Sequence, residues 1–302
     1  MNTRREFLLK SVIGTFGGLN ILPSFSFFQE NKSSSPKSDI VIFSKYIQNL
    51  KPGELGKICK TCELDGVDLT VREKGHIDPK VVTSDLPITA ELIQKDGAKI
   101  SMITTNLLSA HSPYAEEIIQ TASQINIRYI RIGYHKYNLS ENINEQKRKF
   151  KDEIKSLAEL AEKYNVNMGY HNHSGEGNFG GAILDLIEVL EEIQSNLLGI
   201  NLDLAHLKAE GFGGAWKANL MRCIPWIKMI AVKDFTVEEN KIKWVKLNTG
   251  CVPIKEMLNI ILNSVKFSGP ISIHLEYSIA SEKEKLDHIR DAGKLLKEIV
   301  KA

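Results

Sequence analysis

Asn167-Met-Gly-Tyr-His171-Asn-His173-Ser-Gly-Glu-Gly177 reads as an apolar strand running straight into a polar, glycine-rich loop. Side chains alternate across a strand with period two. With the extended conformation carried past Tyr170, His171 and His173 face one way and Asn172 the other. Two neutral imidazoles converging at the end of a strand supply half of a metal or proton-transfer site. The competing reading makes one histidine a loop hydrogen-bonding residue and the other a packing residue. The stretch decides the fold because its pattern recurs on both sides: a short apolar run, a polar or glycine-bearing loop, then an amphipathic helix.

Upstream, Ile40–Phe43 is the first such strand, with Gly53–Cys62 as its helix. Gly66–Val71 is the second, followed by a helix around Ile88–Lys95. Lys99–Thr104 is the third, with Tyr114–Gln124 helical, and Arg128–Ile132 is the fourth. The helix from about Asn144 to Tyr164 places Phe150, Ile154, Leu157, Leu160 and Ala161 at three- and four-residue spacings, one apolar stripe. Downstream of the fifth strand, Asn167–Tyr170, come helix Ile183–Ile193 and strands Leu198–Leu202 and Trp226–Val232. Helix Pro253–Val265, strand Ile271–Leu275 and helix Glu282–Val300 close the series. Eight strand–helix units over roughly 260 residues match the count and length of a single (β/α)8 TIM barrel, an α/β fold. A doubly wound open sheet is the rival, but no dinucleotide fingerprint follows an early strand. Gly211-Phe-Gly-Gly214 lacks the G-x-G-x-x-G spacing and reads as a lid or turn.

The chain has 302 residues, 42% hydrophobic and 25% charged, with a net charge of +2. So small a balance does not point to nucleic acid or an anionic membrane, and no apolar run makes a secure transmembrane helix. Thr3-Arg4-Arg5-Glu6-Phe7-Leu8-Leu9-Lys10 precedes a weakly hydrophobic segment that ends near Phe28. A charged region followed by an apolar one is the layout of an export signal. The paired arginines resemble a twin-arginine signal, which implies export of the folded protein to the periplasm, or membrane anchoring if the signal stays uncleaved. Residues 29–38 have linker composition, so the expected organisation is signal 1–28, linker 29–38 and barrel 39–302. Cys59, Cys62, Cys223 and Cys251 form no dense disulfide framework. The first pair lies in an expected helix without a second pair at zinc-finger spacing, and reads as buried small residues.

Catalytic side chains of such barrels project from the C-terminal ends of the strands. Those positions hold Arg72, Glu73 and His76 after the second strand, His111 after the third, and His171 and His173 after the fifth. They hold Asp203 and His206 after the sixth, Lys233 and Asp234 after the seventh, and Glu276 after the eighth. Asp203 and His206 are close enough for one loop to put a carboxylate and an imidazole on one centre. A mixed His/Asp/Glu set with open positions suits Mn²⁺, Mg²⁺, Co²⁺ or Zn²⁺. Taken singly, Asp203 is equally a helix N-cap and Lys233–Asp234 a surface ion pair.

The segments GVDLTVREKGH, YHNHSGEG, NLDLAHLKAEG, AVKDF and HLEY together resemble the xylose isomerase-like TIM-barrel superfamily, the sugar phosphate isomerase/epimerase group. The likeness spans nearly the whole chain after the signal. It implies a divalent metal at the barrel mouth, held by a fifth-strand acid or its replacement, a sixth-strand Asp, a seventh-strand His and an eighth-strand Glu. Asp203 and Glu276 match; His171 stands where many members have Glu; the seventh-strand histidine is Ala231. The metal set carried over is therefore His171, Asp203, Glu276 and His206. Glu276, His173, Lys233 and His206 are the catalytic candidates, and Arg72, His76, His111 and Trp216 the substrate-binding ones.

The leading expectation is an exported isomerase or epimerase that removes a proton next to the carbonyl of a carbohydrate or keto-sugar, with the metal polarising the oxygens. A lyase or hydratase, inosose dehydratase-like or 3-keto-glycoside-cleaving, shares the first step. The endonucleases of the superfamily are disfavoured by the near-neutral charge. A third expectation is a non-catalytic sugar-binding barrel, with Tyr134, Tyr137, Trp216 and Phe235 as stacking surfaces. The expected partner is a small carbohydrate and not nucleic acid, the mature domain is expected to have no membrane span, and a homo-oligomer is among the expectations.

Overall fold

The computed structural model describes residues 38–301. The expected export segment and all but the last residue of the linker lie outside them. Eight parallel strands close a barrel: β1 Ile40–Phe43, β2 Gly66–Thr70, β3 Lys99–Thr104, β4 Tyr129–Ile132, β5 Asn167–His171, β6 Leu198–Asp203 and β7 Ile227–Val232 in sequence order, then a last strand, Ile271–Ile273. That last strand pairs with both β7 and β1. Between β7 and it an antiparallel hairpin is inserted, β8 Asp234–Glu238 and β9 Lys241–Val245, so the closing strand is β10.

The helices are α1 Pro52–Thr61, α2 Val82–Lys95, α3 Ala115–Gln124, α4 Ile143–Tyr164, α5 Ile183–Ile193, α6 Leu204–Glu210, α7 Ala215–Cys223, α8 Ile254–Ser264 and α9 Glu282–Lys301. Most bounds fall within a residue or two of expectation. The start of α2 is corrected from Ile88 to Val82, because Val82, Leu86, Thr89 and Ile93 form one buried stripe. Pro87 sits inside the helix and costs about 3 kcal/mol; burial of Val82 and Leu86, about 1.5–3 kcal/mol each, offsets it. Both α6 and α7 were unexpected. The glycine segment Gly211–Gly214 is the turn between them, and Gly214, at φ +117°, takes a conformation that favours glycine.

Period-two alternation divides the barrel into two environments. Outward residues such as Ile130, Ile132, Tyr170, Ile200, Leu202, Ile230, Val232, Ile271 and Ile273 join the apolar core beneath the helices. The alternate set faces inward and holds, beside a few apolar residues such as Phe43 and Met229, the buried polar residues Asp68, Thr70, Thr104, Arg131, His171, Asn201, Asp203, Ser272 and His274. Deeper in the lumen, Gly169 leaves the space that Met229 occupies. A barrel interior this rich in polar groups spends stability on chemistry, since each buried polar group must find a partner.

Candidate active site

The ends of β5 and β6 are clamped together by Asn172. Its Oδ1 accepts from the Asp203 N–H at 2.7 Å, and its Nδ2 donates to the Asp203 carbonyl at 3.2 Å. Asp203 is both the N-cap of α6, its Oδ1 accepting from the His206 N–H at 2.9 Å, and a site residue. The cap uses one carboxylate oxygen. The other, Oδ2, is buried without a hydrogen-bond partner and points toward His171 Nε2 at 3.8 Å and His206 Nε2 at 4.0 Å.

Lys233 extends one residue past β7 on the face that Ala231 shares, and is 2% exposed. Its Nζ donates to His206 Nε2 at 2.7 Å and to Glu276 Oε2 at 2.9 Å, and lies 3.3 Å from Asp203 Oδ2. Trp244, brought over by the hairpin, places its ring 4.3 Å from the same nitrogen, a cation–π contact. A lysine only donates, so His206 Nε2 accepts and Nδ1 carries the proton, which it gives to Ser174 Oγ at 2.7 Å. The tautomer of His206 follows from its neighbours.

Glu276 is held from both sides, its Oε1 accepting from the Tyr46 hydroxyl at 2.9 Å. Burial alone would raise its pKa. The Lys233 charge and hydrogen bond outweigh that and hold the carboxyl below its ordinary value, so it is ionised at neutral pH. Tyr46 is pushed far above the phenol range, by burial first and by Glu276 second. Burial likewise drives His171, His206 and His274 well below the ordinary imidazole value, with neighbouring cations adding to the effect. All three are neutral. His173 is lowered by burial as well; its Nδ1–H donates to the Ser174 carbonyl at 2.8 Å, leaving Nε2 with a lone pair. Its ring stacks on Tyr134.

Above these groups opens a cavity of about 370 Å³, lined by Arg72, Arg131, His171, His173, His274 and Glu276 among others. Of the sequence candidates, Arg72, His171, His173 and Glu276 line it, while Asp203, His206 and Lys233 form its buried floor. His76 is turned aside, its Nδ1 on Thr70 Oγ1 at 3.2 Å. His111 is exposed on the loop after β3, and Trp216 packs into the apolar core; neither lines the cavity. Of the four expected stacking aromatics only Tyr134 does. Tyr137 donates to Asp185, and Phe235 is core. Arg131, His274, Tyr46 and Trp244 were missed. For the first two a signal existed: each stands between two apolar strand residues, so alternation turns it inward. Tyr46 and Trp244 follow only from the tertiary fold.

Donor atoms of His171, Asp203 and His206 lie within 4.8 Å of one another. Two neutral imidazoles and a carboxylate with a free oxygen fit a divalent metal. Glu276, the expected fourth ligand, is outside this cluster, its Oε2 engaged by Lys233. Ala231, where the resemblance calls for histidine, pairs in register with Asp203 and Ser272.

Residues 57–299 match the family described as Xylose isomerase-like TIM barrel. The chain belongs to this family. No curated protein sequence matches it. Among solved structures, the IOLI protein with a bound zinc atom superposes with a TM-score of 0.69 at 16% identity, covering 87% of this chain and 98% of that one. The probable 3-DHS dehydratase AsbF from Bacillus anthracis gives 0.67 at 14%, covering 86% and 98%. The 3-keto-D-glucoside 4-epimerase YcjR from E. coli gives 0.66 at 12%, covering 87% and 100%. At such identities the likeness is one of fold.

Proposed function

We propose that this family member is an enzyme that removes a proton beside the carbonyl of a carbohydrate or keto-sugar, as an isomerase or epimerase. One observation carries the reading. The only carboxylate among the described residues lining the cavity, Glu276, is ionised and fixed by two directional hydrogen bonds. Held in this way, Glu276 accepts the carbon-bound proton without reorganising, which is where much of a positioned base's advantage lies. His173, on the same cavity wall with Nε2 free, carries a proton on or off the substrate. Lys233 and Tyr46 position Glu276, and the Lys233–His206–Ser174 chain ties that arrangement to the loop after β5. A divalent metal held by His171, Asp203 and His206 would supply Lewis-acid polarisation of a carbonyl or hydroxyl oxygen. To bind it, His206 Nε2 and Asp203 Oδ2 would have to give up Lys233, which sits 2.7 and 3.3 Å from them.

Elimination, the lyase outcome, is the second reading. It is favoured by the single carboxylate: a base on one face and a histidine that protonates a leaving group satisfy elimination, whereas epimerisation asks for a second group able to return the proton on the other face. The dehydratase and epimerase named above are consistent with either outcome on this scaffold. The test is substitution. Glu276→Gln and Asp203→Asn are expected to abolish turnover of a keto-sugar panel while circular dichroism keeps the wild-type signature, with melting lowered because each removes a partner of buried Lys233. Near-normal turnover in both variants would remove them from the centre of the site.

Export through the twin-arginine motif is proposed as well, supported by the Arg4-Arg5 pattern alone, and placing the enzyme in the periplasm.

A further inference from the structure

The walls of the cavity carry an imbalance of charge that the proton-transfer groups do not use. Lys45, Arg72, Arg131 and Lys136 line it, against one lining carboxylate, Glu276, each of whose oxygens already accepts a hydrogen bond from Tyr46 or Lys233; Asp203, in the floor, stands beside Lys233. Arg131 is the informative residue. It sits in β4 between Ile130 and Ile132, is 7% exposed, and faces the lumen. Its Nε and Nη1 are buried with no hydrogen-bond partner. Asp68 is the acid whose charge favours it most, yet that carboxylate is occupied elsewhere, accepting from Thr104 Oγ1 at 2.6 Å and Ser272 Oγ at 2.8 Å. The Arg72 guanidinium lies beside it: the central carbons of the two stand 5.4 and 5.7 Å from the centre of one ring, that of Phe43.

Two guanidiniums on a single ring, one of them buried with donors that no protein acceptor meets, are costly. Each repels the other, and each buried N–H without an acceptor forfeits its hydration. A purely structural arginine would spend its donors on the protein. A neutral polyol offers hydroxyls, which leave the charge uncompensated. Carboxylate and phosphate oxygens answer both deficits, since guanidinium N–H groups match their geometry and charge.

We propose that the substrate carries a permanent anionic group, a carboxylate or a phosphate, bound by Arg131 and Arg72 in the mouth of the barrel. This rests on reading the same cavity as the site of proton abstraction, and it narrows the substrate class to acidic sugars or sugar derivatives. The cavity, about 370 Å³, lies near the lower end of small-molecule pockets, which run from about 300 to 1,000 Å³. That size suits one sugar unit with its acid group. Phe43 holds the two cations in place, and His274, stacked 4.7 Å behind it, backs the ring. Lys45 and Lys136, both exposed, add attraction at the rim.

Calorimetric titration of the full chain with sorbitol, gluconate and sorbitol 6-phosphate tests this. None of the three has a carbonyl, so binding is read apart from turnover. At least one of the acids should bind about tenfold or more tighter than sorbitol, the scale of one charge-assisted interaction, with the gap narrowing as salt is added. Preference for gluconate assigns a carboxylate, and preference for the phosphate ester assigns a phosphorylated substrate. Arg131→Gln is expected to erase the gap, and the half-buried Arg72→Gln, which keeps the test decisive if the first variant does not fold, to shrink it. Sorbitol binding as tightly as both acids, or no saturable binding of either acid, overturns the proposal. The first of these results leaves the proton-abstraction reading standing. Conversely, a clear acid preference in a protein that never labilises a C–H bond overturns that reading and not this one.

Discussion

Lys233 and a metal ion compete for the same atoms, and Lys233→Met turns that competition into a measurement. The nitrogen lies 2.7 Å from His206 Nε2, 2.9 Å from Glu276 Oε2 and 3.3 Å from Asp203 Oδ2. His206 Nε2 has one lone pair, so it cannot accept from Lys233 and ligate a metal together. Methionine keeps the length and apolar stem of the side chain and removes the charge. Breaking a buried ion pair by deleting one partner costs about 3–5 kcal/mol, because the remaining carboxylates lose their counter-charge. Spread over a barrel of this size, that lowers the melting temperature by roughly 5–10 °C. The vacated centre then offers two imidazoles and two carboxylates, so Zn²⁺ or Mn²⁺ should restore the loss. At about 100 times its Kd a ligand returns about 2.7 kcal/mol, half or more of the deficit. Scanning calorimetry with and without metal, paired with elemental analysis of the dialysed protein, reads both effects. The variant should retain more metal than wild type and gain more stability from it, with Ala231→His in the same background raising retention further. Equal melting temperatures, or identical metal shifts in the two proteins, would refute the reasoning.

Other consequences follow from single contacts. His171, His206 and His274 are held neutral by burial, so their folded pKa values lie below the unfolded value near 6.5. Their contribution is fully present above about pH 6.5 and is lost as pH falls toward the folded values, at up to about 1.4 kcal/mol per pH unit for each. Melting temperature between pH 7.5 and 5 should fall steadily, and His274→Gln should make the slope shallower; an unchanged slope removes that histidine from the effect. Tyr46→Phe deletes the hydroxyl that donates to Glu276 and is expected to lower kcat/KM about tenfold with little change in melting, checked by steady-state kinetics. Arg4→Lys combined with Arg5→Lys should trap the precursor in the cytoplasm of an export-competent host; fractionation showing normal export would reject the signal.

The barrel was readable because each of its strands is short, apolar on its helix-facing side and followed by an amphipathic helix. Ile183–Ile193 and Lys99–Thr104 were placed to the residue. The hairpin was not, because its turn is Glu239-Asn240. Both residues adopt positive φ, at 49° and 61°, without the glycine that usually marks such a loop. His171, Asp203, His206, Lys233 and Glu276 were readable as strand-end residues, and the structure gathers all five around one point. What the linear pattern did not contain was their pairing. Lys233 appeared as half of a surface ion pair with Asp234, yet Asp234 turns away to accept from the backbone N–H groups of Phe235, Gly250 and Val252, and Lys233 turns in. Loop residues such as His111 are polar for solvent as often as for substrate, and spacing does not distinguish the two. Arg131 hid for the opposite reason: a charge inside an isoleucine strand reads as an exception until alternation is applied to it.

Incubation of the protein with acidic and neutral keto-sugars in heavy water, followed by proton NMR, addresses the central claim most directly. Deuterium should enter the carbon beside the carbonyl, at a rate that Glu276→Gln reduces at least a hundredfold. Saturable binding of a keto-sugar with no deuterium incorporated at any pH from 5 to 9 would contradict the account and leave a barrel that holds sugars without acting on them.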